Sequence, residues 1–147
     1  MPLKGIPTRI NPELLYVLAK LGHGDAIVIS DANFPSDSIA SNCIVKQPIR
    51  VSGSTAEVLH DILKLLPLDQ YVEKPVKVMD RVQSDKDKGL VVPAYATLST
   101  AAGYSSIDKL DYIERFQFYE DAKKCFAVIQ TDDSSLYANT IISKGVL

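Results

Sequence analysis

His23 stands between two glycines in Gly22-His23-Gly24-Asp25, where an apolar helical pattern gives way to a short apolar run. Glycine neighbours let the backbone set an imidazole at the rim of a sheet. Histidine titrates near neutral pH, so general acid or base chemistry is its natural use there. A histidine that merely closes the helix end onto a free carbonyl fits the same spacing. Asp31 follows the run Ala26-Ile27-Val28-Ile29, at the carboxyl edge where α/β sheets place binding groups. With Asn33-Phe34-Pro35 behind it, Asp31 also suits an Asx turn. Tyr137 and Asn139 lie two apart in a stretch that reads as a strand, so both side chains should face one way. An aromatic-and-amide face suits sugar stacking and hydroxyl recognition, and a solvent-facing or interface strand accounts for it equally. Arg115-Phe116-Gln117-Phe118-Tyr119-Glu120 joins a fixed cation to three aromatics. A core-facing aromatic cluster with a surface ion pair explains that run as well as a site does. His60 differs: it falls with Glu57, Asp61 and Lys64, off the apolar stripe of a helix, and reads as a solvated residue.

The elements that position these groups follow from periodicity. Asn11 caps a helix that runs from Pro12 to Leu21, with Leu14, Leu15, Val17, Leu18 and Leu21 as its buried stripe and Gly22 as its stop. Ala26 to Ile29 reads as a buried strand. Ser54 and Glu57 form a capping box for a second helix, whose stripe is Val58, Leu59, Ile62, Leu63 and Leu66 and which Pro67 ends. A strand is expected over Val76 to Val82, then a solvated turn at Ser84 to Gly89 and a weaker helix over Pro93 to Ala102. Phe116 to Lys124 reads as a helix, Phe126 to Ile129 as a strand, Thr131 to Ser134 as a turn, and Tyr137 to Ile142 as a returning strand. Helices and strands alternate throughout, which makes the class α/β. No repeat or linker divides the chain, so residues 1–147 are expected to form a single domain.

Composition excludes several function classes. Of 147 residues 46% are hydrophobic and 23% charged, as in an ordinary globular domain, and the formal net charge is −2. Scattered Lys and Arg with that balance argue against a nucleic-acid partner. The longest apolar runs are about five residues, against roughly 20 needed to span a bilayer, so no membrane role is expected. The start, Met1 to Thr8, lacks the apolar stretch of a signal peptide, and a cytoplasmic location is expected. Cys43 and Cys125 sit far apart in neutral surroundings and read as unpaired thiols. The two histidines have no partners at metal-ligand spacing and no glycine-rich phosphate loop is present. Cofactor chemistry is therefore disfavoured.

Four ordered blocks together resemble the fucose mutarotases, in the wider group that includes D-ribose pyranase. The first is Asn11-Pro12-Glu13-Leu14-Leu15 with Gly22-His23-Gly24-Asp25 and Asp31-Ala32-Asn33-Phe34-Pro35. The second is Lys64-Leu65-Leu66-Pro67-Leu68-Asp69 with Tyr71. The third runs from Glu114-Arg115-Phe116 through Phe118-Tyr119-Glu120 to Ala122-Lys123-Lys124 and Phe126-Ala127-Val128. The last is Leu136-Tyr137-Ala138-Asn139 with the terminal Lys144-Gly145-Val146-Leu147. The resemblance implies one compact α/β domain, a mixed sheet flanked by helices. It makes His23 the proton donor and Tyr119 a second catalytic group. It places Asp31, Asp69, Arg115, Tyr119, Tyr137 and Asn139 at substrate-binding positions, with Met79 lining the pocket. It also implies L-fucose as substrate, no cofactor, and a homo-oligomer whose sites lie near subunit contacts, the tail reaching a neighbour. Two departures stand out: Ala138 replaces an expected glycine, and Asp132-Asp133 a Gly-Glu-type turn. Leu90 to Tyr112 matches weakly, and nothing is carried onto it.

Mutarotation needs a proton delivered to the ring oxygen and one removed from the anomeric hydroxyl. On that reading a protonated His23 donates, Tyr119 or a water relays the second proton, and Asp31 orients His23 or holds a sugar hydroxyl. A ribose pyranase and a sugar-binding module without catalysis are the competing readings. An apolar patch for the fucose C5 methyl, from Met79, Tyr137, Phe116 and Phe118, would separate fucose from ribose.

Overall fold

The computed structural model describes residues 3–147. Helix α1, Pro12–Lys20, begins as expected: the Asn11 side chain accepts from the Leu14 N–H, and Pro12 occupies the first turn. Leu21 is its extended C-cap. The left-handed backbone falls on Gly24, at φ +85°, and not on Gly22. Strand β1, Ala26–Ser30, follows, then a short helix α2, Ser36–Ala40, and a two-residue strand β2, Ile49–Arg50. Helix α3, Thr55–Ile62, carries the full capping box of Ser54 and Glu57.

Strand β3, Val76–Met79, helix α4, Gln83–Asp87, and helix α5, Pro93–Ala101, come next. A single 3₁₀ turn, Ile107–Lys109, leads into strand β4, Asp111–Ile113. Helix α6, Arg115–Lys123, and strands β5, Ala127–Gln130, and β6, Thr140–Ser143, complete the chain.

The six strands form one mixed sheet in the order β2-β5-β1-β6-β3-β4. Only β6 runs against its neighbours, pairing antiparallel with β1 and β3, while β1/β5, β2/β5 and β3/β4 are parallel. Alternate residues supply opposite faces, as the period-2 pleat requires. Ile27, Ile29, Ala127, Ile129, Val78 and Ile142 join the core beneath α1, α3 and α5. Val28, Val128, Met79 and Ile141 join a smaller core with Phe34, Phe118 and Ala122 beneath α2 and α6. The α/β architecture with a mixed, helix-flanked sheet agrees with the sequence reading.

Several boundaries differ, each for a local reason. Helix α3 ends at Ile62, since the turn before Pro67 tightens: the Lys64 and Leu65 N–H groups reach back only three residues. Strand β3 stops at Met79, where the Asp80 N–H still pairs with Ile113 before the chain turns away. The charged run from Ser84, read as a turn, is largely the one-turn helix α4. Strand β6 starts only at Thr140, so Tyr137 and Asn139 precede it and do not share a strand face. Tyr137 sits at φ 58°, the only non-glycine residue at positive φ among those described.

The start of α3 and the lead-in to β6 are fastened together by Thr55. Its buried hydroxyl donates to the Ala138 carbonyl at 2.8 Å, and its N–H donates to the Asp133 carboxylate at 2.9 Å. Thr55→Val keeps the shape and leaves that buried carbonyl unpaired. It should destabilise the protein by about 1–3 kcal/mol, read as a lower urea midpoint at unchanged m-value; an unchanged midpoint would remove Thr55 as the fastening.

Candidate active site

At the carboxyl ends of β1, β3 and β4 the chain brings together groups far apart in sequence. Asp31 follows β1, Met79 ends β3, Arg115 opens α6 just after β4, and Asn139 immediately precedes β6. Asp31 and Asn139 are buried and locked reciprocally. The Asp31 N–H donates to Asn139 Oδ1 at 2.9 Å, and Asn139 Nδ2 donates to Asp31 Oδ2 at 3.0 Å. Asp31 Oδ1 accepts from the Asn33 N–H at 2.9 Å, so the Asx turn exists as well. Burial raises the Asp31 carboxyl above its ordinary value, with the hydrogen bonds from Asn33 and Asn139 opposing it.

Arg115 and Tyr119 are one turn apart on α6, which puts them on one face. Arg115 Nε donates to the Tyr119 oxygen at 3.1 Å, leaving the tyrosine O–H free to be given to a ligand. The Tyr119 ring packs edge-on to Phe34, which in turn meets Phe118. Asp31, Phe34, Met79, Arg115, Tyr119, Tyr137 and Asn139 all line one cleft of about 330 Å³, at the small end of ligand sites. A larger groove, about 620 Å³, adjoins it behind Tyr119, but its polar groups belong mostly to surface positions such as Ser38, Asn42 and Lys123.

His23 is not in this cleft. It lies before β1, and Asp31 lies after it; the strand alone spans about 13 Å at ~3.3 Å per residue. His23 therefore cannot be oriented by Asp31 of the same chain, which corrects the sequence reading. Its partner is Asp69, whose main-chain N–H bonds to Ser143 at the far end of β6. His23 Nε2 meets Asp69 Oδ1 at 3.0 Å, and the Tyr71 N–H donates to the same oxygen at 3.0 Å. An ionised carboxylate only accepts, so the His23 proton sits on Nε2 and Nδ1 is free to exchange one. The Tyr71 ring lies 5.3 Å from the imidazole. The tail lies at this edge too, with Val146 bonded at both its N–H and its carbonyl to the Gln70 amide.

Comparison with known proteins matches residues 4–147 to the RbsD / FucU transport protein family. The chain belongs to that family. A fucose mutarotase of Homo sapiens is 49% identical over 149 residues, covering 99% of this chain and 94% of that protein. A crystal structure of the fucose mutarotase of Streptococcus pneumoniae in complex with L-fucose superposes with a TM-score of 0.83 at 37% identity, covering 99% of both chains. The RbsD of Bacillus subtilis complexed with D-ribose shares the fold, with a TM-score of 0.68 at 21% identity over 100% of this chain and 99% of that one.

Within this RbsD / FucU chain, Ala138 is buried with an ordinary negative φ, and its methyl is accommodated. The left-handed residue of the segment is its neighbour, Tyr137. Asp132 and Asp133 receive the Gly53 and Thr55 N–H groups, so the departing turn ties the sheet edge to α3. Sequence reasoning did not single out Val82, Asp85 or Leu136, which also line the cleft. Asp85 was hidden in a charged run whose other members are exposed.

The Tyr71 N–H and the His23 imidazole hold the Asp69 carboxyl below its ordinary 3.8. A carboxyl lowered on folding contributes stability above 3.8, lost as pH falls through the folded value. Asp69 should thus titrate below 3.8 in ¹³C-carboxyl NMR, and His23→Asn should move its midpoint upward. A midpoint left unmoved by His23→Asn would mean that the pair does not form in solution.

Proposed function

We propose that this protein is an L-fucose mutarotase, which interconverts the α and β anomers by acid/base-catalysed ring opening and closure. The observation that carries the reading is the composition of the 330 Å³ cleft. Hydrogen-bonding groups of Asp31, Arg115, Tyr119 and Asn139 face apolar walls from Phe34, Met79 and Tyr137. Membership of the family and close similarity to proteins named fucose mutarotase support the sugar. The apolar walls offer a place for the C5 methyl that ribose lacks, and the ribose-complexed relative is similar in fold alone, so a ribose pyranase is the weaker reading.

In the proposed reaction an acid gives a proton to the ring oxygen, the bond from that oxygen to C1 breaks, and a base takes the anomeric O–H proton. The open aldehyde rotates and recloses on either face by the reverse transfers. Electrons are conserved, and neither metal nor cofactor is called for. Tyr119, its oxygen held by Arg115, and His23, backed by Asp69, are the pair that exchanges these protons, one giving while the other takes, with the roles reversed on closure. Asp31 and Asn139 fix sugar hydroxyls.

Since His23 and Tyr119 lie at opposite sheet edges, the complete site joins the cleft of one copy to the His23–Asp69 edge of another. The surfaces concerned favour a homo-oligomer: the His23 side chain is 44% exposed, and Tyr71, Phe116 and Leu136 are at least 61% exposed. The tail, beside Asp69, travels to the neighbouring site with His23. Free, buried Cys43 and Cys125 are in keeping with a reducing cytoplasm. No helix among the described residues is long and apolar enough to cross a membrane.

His23→Asn should lower α/β-L-fucose exchange, measured by saturation-transfer NMR, by about 10²-fold or more while sugar binding persists. His60→Asn should not change it. Retention of more than about a third of the rate would remove His23 from the chemistry on the same acid/base yardstick.

The shared site has its own test. His23→Asn and Tyr119→Phe subunits, each of low activity, should regain roughly a quarter of wild-type exchange when unfolded and refolded together, because one interface in four then holds both intact halves. No regain in mixed oligomers of confirmed composition would mean that the site lies within one chain.

A further inference from the structure

Helix α4 hangs over the cleft, and its residues are exposed except Asp85, which is half-buried and turned inward. Asp85 Oδ2 accepts the Tyr137 O–H at 2.5 Å, and the Tyr137 oxygen accepts the Val82 N–H at 3.1 Å. Val82 is the N-cap of α4, and the tyrosine oxygen satisfies its main-chain N–H, one of the donors that a helix start leaves without an intrahelical partner. The only proton of the Tyr137 hydroxyl is thus spent inside the protein, and none remains to give a sugar. A bulky residue at φ 58° is disfavoured on its own and persists only where its surroundings hold it. The hydroxyl's two bonds provide that hold.

Resting on the fucose reading above, we propose that Asp85 is a positioning residue of the sugar site. Its carboxylate engages the Tyr137 hydroxyl, fixes the ring in its left-handed setting, and makes that ring an apolar wall for the sugar instead of a hydrogen-bond donor to it. Asp85 acts through Tyr137 and is not itself a catalytic group. Nor does α4 need this carboxylate to form. The Asp85 N–H and carbonyl bond to Val82 and Leu90, and Lys86 pairs with Asp80 at 2.8 Å. Removing the side chain should therefore loosen the ring and leave the helix standing. The Tyr137 hydroxyl is raised above its ordinary value by burial first and by Asp85 second, with the Val82 N–H and the Arg115 charge opposing.

The test compares wild type, Asp85→Ala, Asp85→Asn, Tyr137→Phe and the double variant Asp85→Ala/Tyr137→Phe. Exchange of L-fucose anomers is followed over a range of sugar concentrations. Asp85→Ala should raise KM about tenfold with kcat changed less than about threefold, since ring placement serves binding in ground and transition states alike. Asp85→Asn should recover most of that loss, because its amide oxygen accepts the same hydrogen bond. Tyr137→Phe should resemble Asp85→Ala, and the double variant should be no worse than either single one, as residues acting as a unit are not additive.

Wild-type KM in Asp85→Ala would overturn the proposal. So would an Asp85→Asn variant as poor as Asp85→Ala, which would mean that the carboxylate charge meets the sugar directly. A sugar-free reading separates this claim from the fucose assignment. The ¹³C-labelled Tyr137 ring should titrate at lower pH in Asp85→Asn than in wild type. An unmoved titration overturns the positioning role even if no sugar exchange is found, whereas a moved titration with no exchange by wild type defeats only the fucose reading.

Discussion

Strand β6 runs against both of its neighbours in the middle of an otherwise parallel arrangement, and the site depends on that reversal. Running antiparallel to β1, β6 brings its leading end to the carboxyl end of β1 and its trailing end to the amino end of β1. Its leading end places Asn139 beside Asp31 and brings Tyr137 into the cleft that Met79 also lines; its trailing end places Ser143 and Lys144 against Asp69 and Gly24. Had the last strand been parallel, it would have needed a long crossover, and Asn139 would have lain at the edge away from Asp31. The register with β1, Ala26 against Ser143 and Ile29 against Thr140, fixes how far each end projects. A slip of one residue would exchange Ile141 and Ile142 between the two cores, so burial on both faces enforces the register.

The same strand separates two carboxylates into different electrostatic settings. Asp31 is buried against the Asn139 amide, and burial raises its carboxyl. Asp69 accepts from the Tyr71 N–H and faces an imidazole, and both lower its carboxyl. The lowered carboxyl keeps the His23 proton on Nε2 and leaves Nδ1 for exchange. Gly145 belongs to this setting: a Cβ there would come within 2.4 Å of the Leu68 carbonyl oxygen and 2.9 Å of the Asp69 Cα. Only a glycine lets the tail pass so close to the carboxylate's own backbone.

Features dominated by local chemistry were legible in the sequence. Asn11 with Pro12, Ser54 with Glu57, and the apolar run Ala26 to Ile29 each carry their own cap or burial pattern, and each forms the expected element. The elements missed are those that tertiary contacts create. Strand β2 is two residues paired only with β5, β4 is a three-residue edge strand, and α2 has no side-chain cap. The spatial relation of His23 to Asp31 escapes the sequence for a related cause. Sequence order puts them eight residues apart, but five of the intervening residues are an extended strand, which carries them to opposite edges.

Tyr137 shows most clearly how residue identity and conformation come apart. Its type and its spacing from Asn139 suggested a strand face, on which both side chains would point together. The chain instead turns left-handed at the tyrosine, a conformation that glycine adopts freely and that bulky residues adopt only under constraint. Glycine was expected one residue later, at Ala138, where the backbone is ordinary. The cost of roughly 1–2 kcal/mol for a side chain at positive φ is comparable to what a charge-assisted hydrogen bond returns. The Tyr137 hydroxyl makes one such bond to Asp85 and a second to the Val82 main chain. No local pattern announces this, because the compensating groups lie more than 50 residues upstream in the chain. The strained turn aims the tyrosine ring across the cleft, and the carboxylate that tolerates the strain also occupies the hydroxyl. The conformation, the spent proton and the apolar wall are therefore one feature of the fold.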